Sequence, residues 1–143
     1  MSTLDAAVHA LMREASERAI LPRWKMLAAH EIVSKKPSGE LPDVVTIADS
    51  EAEAILAEGL ARLLPEAAIV GEEACHADPS VFDRLSEALC WVVDPLDGTN
   101  NFADGEAPFG ILVALIERGE TVRGWLYDCL SGRICHAGRA SDG

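Results

Sequence analysis

"CWVVDPLDGTNNF", Cys90 to Phe102, carries an apolar segment straight into two aspartates, a glycine, a threonine and two asparagines. Its first part, with Leu89, is apolar on both alternating sets of positions. That pattern predicts a central β-strand covered on both faces. The second part is either the turn leaving that strand or a place where chemistry is done. Asp94 and Asp97 are separated by Pro95-Leu96, a tight turn that can aim both carboxylates and the Leu96 carbonyl at one region. Gly98 and Thr99 then present backbone N–H groups where a helical turn can begin, a ready place for an anion.

Downstream, "GILVALI", "TVRGWLY" and "GRICHA" are separated by the turn-prone "ERGE" and "DCLS", so an antiparallel meander is expected. Upstream, Leu4, Val8, Leu11, Met12, Ala15 and Ala19 recur at helical spacing and predict an amphipathic helix to about Ile20. Pro22 is expected to kink or end it, with "RWKMLAAH" adding a further turn or two, and "KKPSGELPD" reads as a mobile loop. A second helix follows from the stripe Ala52, Ile55, Leu56, Gly59, Leu60, Leu63 and Leu64, closed by Pro65. Ser50 and Glu53 fit a capping box at its start. "AAIV" reads as a short buried strand ending at Gly71, and "DPSVFDRLSEAL" as a short helix begun near Asp78 or Ser80. Helices first and hairpin-linked strands last give an α+β class, helices packed on a largely antiparallel sheet.

Three acidic groups then lie at the ends of predicted elements. Asp49 precedes the second helix, Glu72 and Glu73 follow the "AAIV" strand, and Asp94 and Asp97 follow "LCWVV". If the two strands are neighbours, Glu72 and Asp94 emerge at the same edge of the sheet. Carboxylates gathered this way repel, and the usual resolution is a shared proton or a bound cation. Each group also has a plain reading. Asp49 starts a helix, Gly71-Glu72-Glu73 is an exposed turn, and Asp97-Gly98 is an ordinary turn. Their joint occurrence in one short chain favours a site.

The composition agrees. The chain has 143 residues, 24 Asp and Glu against 12 Lys and Arg, and a net charge of −12. Such a surface is repelled by nucleic acid and by anionic membranes, which require clustered positive charge, whereas it suits hard divalent cations. No apolar run approaches the roughly 18 residues of a membrane helix. The charged, helical N-terminus is unlike a secretory signal. Cys75, Cys90, Cys129 and Cys135 show no C-x-x-C spacing, so reduced thiols and a cytoplasmic setting are expected. The Cys75-His76 and Cys135-His136 dipeptides point to opposite sides of an extended chain and make poor zinc chelates.

"DPLDGTNNF" resembles the D-P-[IL]-D-G-T-x-N-[FY] signature of the inositol monophosphatase family of magnesium-dependent, lithium-sensitive phosphatases. "DVVTIADSEAE" looks like that family's D-x-V-T-x-A-D element and "VGEE" like its G-E-E element, in the same order. The D-x-D-G-T motif of haloacid dehalogenase-type phosphatases is a poorer match, because the extra residue between Asp94 and Asp97 breaks the strand alternation. The resemblance implies the N-terminal portion of the layered αβαβα sugar-phosphatase fold. It also implies that Glu72, Asp94 and the Leu96 carbonyl bind one Mg²⁺, and that Asp94 and Asp97 bind a second. Asp49 and Thr99 would orient and deprotonate the attacking water, while the Gly98 and Thr99 amides hold the phosphate. Lys35 or Lys36 would match the family's loop lysine.

Two departures qualify what is implied. Asp104 and Glu106 stand where many inositol-phosphate-hydrolysing members carry histidine and an aromatic residue. The W-D-x-[AG] motif of the family's C-terminal α/β portion is absent, so the chain reads as a single metal-binding N-terminal domain. A small phosphorylated metabolite is the expected substrate. The expected association is a homodimer or pairing with a C-terminal half that covers exposed apolar surface.

Overall fold

In the computed structural model, residues 2–24 and 43–139 are described, the side chains of 43–46 excepted. Lys35, Lys36 and nearly all of the loop expected around them lie outside the described residues. Helix α1 (Thr3–Ala15) opens on a capping box in which Ser2 and Asp5 exchange hydrogen bonds. It continues into a π turn, Ser16–Ile20, where the Leu21 N–H reaches the Ser16 carbonyl. Residues 21–24 return to α geometry, so the helix passes through Pro22 rather than ending there. Proline at 22 has no N–H for the preceding turn, and the wider π register immediately before it accommodates that loss.

Helix α2 spans Asp43–Leu63. The expected start at Ser50 is therefore incorrect: Ser50 and Asp49 both lie inside the helix. The β-branched run Val44–Ile47 has weak helix propensity, but propensity yields to tertiary packing. Ala48, Ala52, Leu56 and Leu60 are fully buried, which is what keeps the longer helix in place. Strand β1 (Ala68–Gly71) is followed by a short helix α3 (Glu72–Ala77). A 3₁₀ helix, Pro79–Ser86, comes next, capped by the Asp78 side chain on the Ser80 N–H. Strand β2 (Leu89–Asp97) leads through Gly98 to helix α4 (Thr99–Ala103). Strands β3 (Gly110–Glu117), β4 (Glu120–Asp128) and β5 (Ile134–Gly138) form the meander.

The five strands stand in chain order, with β1–β2 parallel and every other pair antiparallel. The parallel pair needs a crossover, which α3 and the 3₁₀ helix supply. One sheet face packs on α1 and α2: Trp91, Val93, Ile111, Val113 and Trp125 join Val8, Met12, Leu56 and Leu60 in one core. Asp5 ties the same layers together. Its buried carboxylate accepts from Arg123 Nε at 2.5 Å, Arg123 Nη2 at 2.7 Å and Trp125 Nε1 at 2.8 Å.

Among the described residues, the opposite face is covered only near β1, so there the expectation that β2 is enclosed on both sides holds for part of its length. Cys90 is buried with Val70, Cys75 and Val81 under α3 and the 3₁₀ helix. Val92 is half-buried, and on the neighbouring strands Leu112 and Leu126 are 37% and 41% exposed. An apolar recess of about 510 Å³ lies over this uncovered part, with Asp94 at its border. Alternation of side chains leaves this second apolar set without a covering layer among the described residues.

Candidate active site

The parallel pairing of β1 with β2 sets Gly71 opposite Val93, so the next residues along the two strands are Glu72 and Asp94. That register brings the two acids together, and the proximity of Asp94 favours the protonated form of Glu72. Glu72 is exposed as a residue, and with Asp94 it lines a recess of about 310 Å³. Partial desolvation there, then the neighbouring Asp94 carboxyl and the charges of Glu73 and Glu53, push Glu72 up to about 7.

Asp49 arrives from α2. It is 6% exposed, and its Oδ1 has no hydrogen-bond partner among the described residues. Burial, followed by the charges of Glu73, Glu72, Asp94 and Glu53, pushes it up to about 8. A helix residue, a strand-to-helix corner and a strand end thus bring Asp49, Glu72 and Asp94 within mutual electrostatic reach. Glu73 is raised as well, by burial first and then by Glu53.

The remaining residues expected at the site follow Asp94 along the chain. Asp94 Oδ1 accepts from the Leu96 N–H at 3.3 Å, turning the backbone over a buried Pro95-Leu96. The pairing with β3 is interrupted between Asp94 and Asp97, and Asp97 ends the strand exposed to solvent. Asp97 is not among the groups that perturb Asp49 or Glu72. Gly98 has φ +87°, and a Cβ there would lie 2.8 Å from the Pro108 carbonyl oxygen. Both conditions demand glycine. Gly98 is the N-cap of α4, whose first amides receive no side-chain cap, and Thr99 follows half-buried. Asp104 and Glu106 are exposed beyond that helix.

Among the described residues, no three His, Cys, Asp or Glu side chains converge as a ready metal cage. The donor chemistry nonetheless fits a hard cation: a buried Asp49 carboxyl oxygen with no partner among the described residues stands within electrostatic reach of Glu72 and Asp94, which occupy adjacent strand positions. All four cysteines are free, and the two Cys-His dipeptides contribute to no metal cluster there. No helix among the described residues is long and apolar enough to cross a membrane.

Glu53 is the residue that sequence reasoning misplaced. Its carboxylate is directed to the next helix in the chain, accepting from the Glu73 N–H at 2.8 Å and the Ala74 N–H at 2.9 Å. The S-x-x-E spacing suggested a local partner. Only the position of Glu53 four residues after Asp49, on the same helical face, hinted at a role near the site.

A helical layer behind a mostly antiparallel sheet, with carboxyl groups gathered at two parallel strand ends beside a glycine-started helix, defines an α+β protein with an acidic strand-end site. Residues 1–141 match the model of the inositol monophosphatase family, and the chain belongs to that family. It is 33% identical over 99 residues to the Nus factor SuhB of Vibrio cholerae, covering 69% of this chain and 35% of that protein. It is 39% identical over 84 residues to the 3'(2'),5'-bisphosphate nucleotidase CysQ of Salmonella typhimurium, covering 58% of this chain and 32% of that one. The solved inositol monophosphatase-II of Staphylococcus aureus matches with a TM-score of 0.72 at 26% identity, over 96% of this chain and 45% of that chain. The chain thus spans about a third of the length of these two curated relatives and just under half of the solved one.

Proposed function

We propose that this chain forms the metal-binding portion of a Mg²⁺-dependent phosphomonoesterase acting on a small sugar- or polyol-type phosphate such as inositol monophosphate. The observation that carries the reading is the parallel register that places Glu72 beside Asp94, together with the buried Asp49, whose Oδ1 has no hydrogen-bond partner among the described residues. Uncompensated acidity of this kind is costly in a stable fold and is relieved by a cation. Glu72, Asp94 and the Leu96 carbonyl would hold one Mg²⁺, and Asp94 with Asp97 a second. When bound, such cations supply Lewis acidity at the phosphoryl oxygens and lower the pKa of water.

The chain's own groups have distinct tasks. The Gly98 and Thr99 amides at the uncapped start of α4 would bind the phosphoryl oxygens. Asp49, with the Thr99 hydroxyl, would orient a water for in-line attack and take its proton. Without a cation Asp49 keeps its own proton to about pH 8, and positive charge beside it brings it back into the range of a general base. The new P–O bond forms to water, the ester P–O bond breaks, and the leaving alkoxide takes a proton from solvent. No covalent phosphoenzyme is required.

The similarity to a bisphosphate nucleotidase favours a second reading, in which the substrate is a 3′-phosphonucleotide. Histidinol phosphate and a fructose bisphosphate belong to the same range of substrates. A catalytically weak cation-binding subunit is the non-enzymatic alternative. Phosphate release from a panel of these esters, with and without Mg²⁺, tests the proposal against Asp97→Asn. Release that needs Mg²⁺ and is lost in the variant is expected. Turnover indifferent to both overturns the metal mechanism, and Mg²⁺ binding without turnover selects the subunit reading.

A further inference from the structure

We infer that Glu53 is a positioning residue of this site: its buried carboxylate clamps the Glu72–Glu73 corner to the helix that carries Asp49. The inference rests on the metal-dependent reading above and deepens it. Glu53 is 8% exposed, and both its oxygens are used, one by the Glu73 N–H and the other by the Ala74 N–H. Those amides belong to the first turn of α3, a helix with no cap from its own N-cap residue, Gly71. A two-oxygen acceptor reaching from twenty residues upstream replaces that cap, and charge-assisted bonds of this kind are short and geometrically strict.

The placement of Glu53 gives the clamp its consequence. Asp49 and Glu53 are one turn apart on the same face of α2, and Glu72 is the residue immediately before the first clamped amide. One carboxylate therefore fixes the separation between the helix bearing Asp49 and the corner bearing Glu72. Gly71 shows how closely the two elements approach. A Cβ on residue 71 would lie 2.5 and 2.6 Å from the two Glu53 oxygens, so any larger residue must push the carboxylate away. The glycine-acid-acid corner and the distant glutamate are thus one device. Glu53 itself coordinates nothing and touches no substrate in this account.

Three variants of the 143-residue chain test it: Glu53→Gln, Gly71→Ala and, as a control, truncation of the partly buried Ile55 on the same helix, Ile55→Ala. Glutamine keeps the shape but turns an NH₂ group on one of the two amides. Gly71→Ala leaves every carboxylate of the site chemically intact. Amide hydrogen exchange without metal is expected to be slow at Glu73 and Ala74 in the parent, and at least about tenfold faster in the first two variants once matched for global stability. The control is expected to leave it slow. Mg²⁺ titration calorimetry is expected to show affinity weakened about 10- to 100-fold in Glu53→Gln and Gly71→Ala, and changed less than about twofold in Ile55→Ala. Fast exchange at these amides in the parent, or unchanged exchange in Glu53→Gln, overturns the clamp. Weakened binding in the control to the same degree overturns the positioning role. A parent chain that binds no Mg²⁺ overturns the metal reading instead, and the exchange measurement still decides whether Glu53 holds the corner.

Discussion

Asp49→Asn should make the metal-free chain more stable at neutral pH while removing a group the proposed reaction needs. The Asp49 carboxyl, ordinarily at 3.8, is pushed to about 8, by burial first and by the charges of Glu73, Glu72, Asp94 and Glu53 after it. A folded-state pKa above the unfolded value means that the folded chain keeps a proton the unfolded chain has released. Between about pH 4 and pH 8, stability therefore falls as pH rises, by at most ~1.4 kcal/mol per pH unit for this one group. From pH 4.5 to 7.5 the ceiling is about 4 kcal/mol. Side-chain relaxation and water entry reduce such penalties, so a difference of roughly 2 kcal/mol is expected. Asparagine carries no ionisation and escapes the loss. Urea unfolding in EDTA, followed by circular dichroism, should find parent and variant within about 0.5 kcal/mol at pH 3.5, where the Asp49 carboxyl is largely protonated in the folded chain and still mostly protonated in the unfolded one. At pH 7.5 the variant should be the more stable by roughly 2 kcal/mol. Glu72 titrates in both chains and largely cancels in the comparison. Saturating Mg²⁺ should then narrow the gap by stabilising the parent more. A variant equal to or weaker than the parent at pH 7.5 in EDTA would refute the placement of Asp49 as a buried, uncompensated acid.

Two further outcomes follow from the scaffold. Asp5→Ala strands the Arg123 guanidinium and the Trp125 N–H, and because Arg123 still reaches water the loss should be about 3 kcal/mol, read as a fall in the urea midpoint at pH 7. Arg123 holds the Asp5 carboxyl well below the usual carboxylate range, so its stabilisation is present above about pH 4 and the parent–variant gap should shrink on acidification below that. Gly98→Ala must give up φ +87° and move a Cβ off the Pro108 carbonyl oxygen. A loss of about 1–3 kcal/mol is expected, together with phosphate release reduced out of proportion to it, measured at a temperature where the variant is folded.

How much of this was legible in the sequence depends on how far each signal travels along the chain. The meander was readable because its evidence is local: alternating apolar strands broken by short turns place β3, β4 and β5 within a residue or two. The adjacency of Glu72 and Asp94 needed only one condition, that β1 and β2 be neighbours, and the parallel register meets it. The start of α2 was misread because Ser50 and Glu53 satisfy a local capping rule, whereas the glutamate's partners lie twenty and twenty-one residues away. Asp5 was invisible for the same reason. Nothing near it in the chain announces an arginine and a tryptophan 118 and 120 residues downstream.

Two buried acids, Asp5, which the sequence did not single out, and Glu53, which its pattern assigned to a local cap, share a logic that the site acids lack. Each spends its charge on N–H donors supplied by another layer: Asp5 joins α1 to β4, and Glu53 joins α2 to α3. They are compensated, so burial costs them little. Among the described residues, Asp49 and Glu72 are buried or crowded without donors to match, and both are driven to hold protons at pH values where carboxylates are ordinarily charged. A fold that satisfies its structural acids so completely has the means to satisfy the others, and a residue such as asparagine at position 49 would remove the strain. That the unsatisfied carboxyls sit together at the strand ends, held in place by a satisfied one, is the arrangement expected where the missing counter-charge comes from a bound cation.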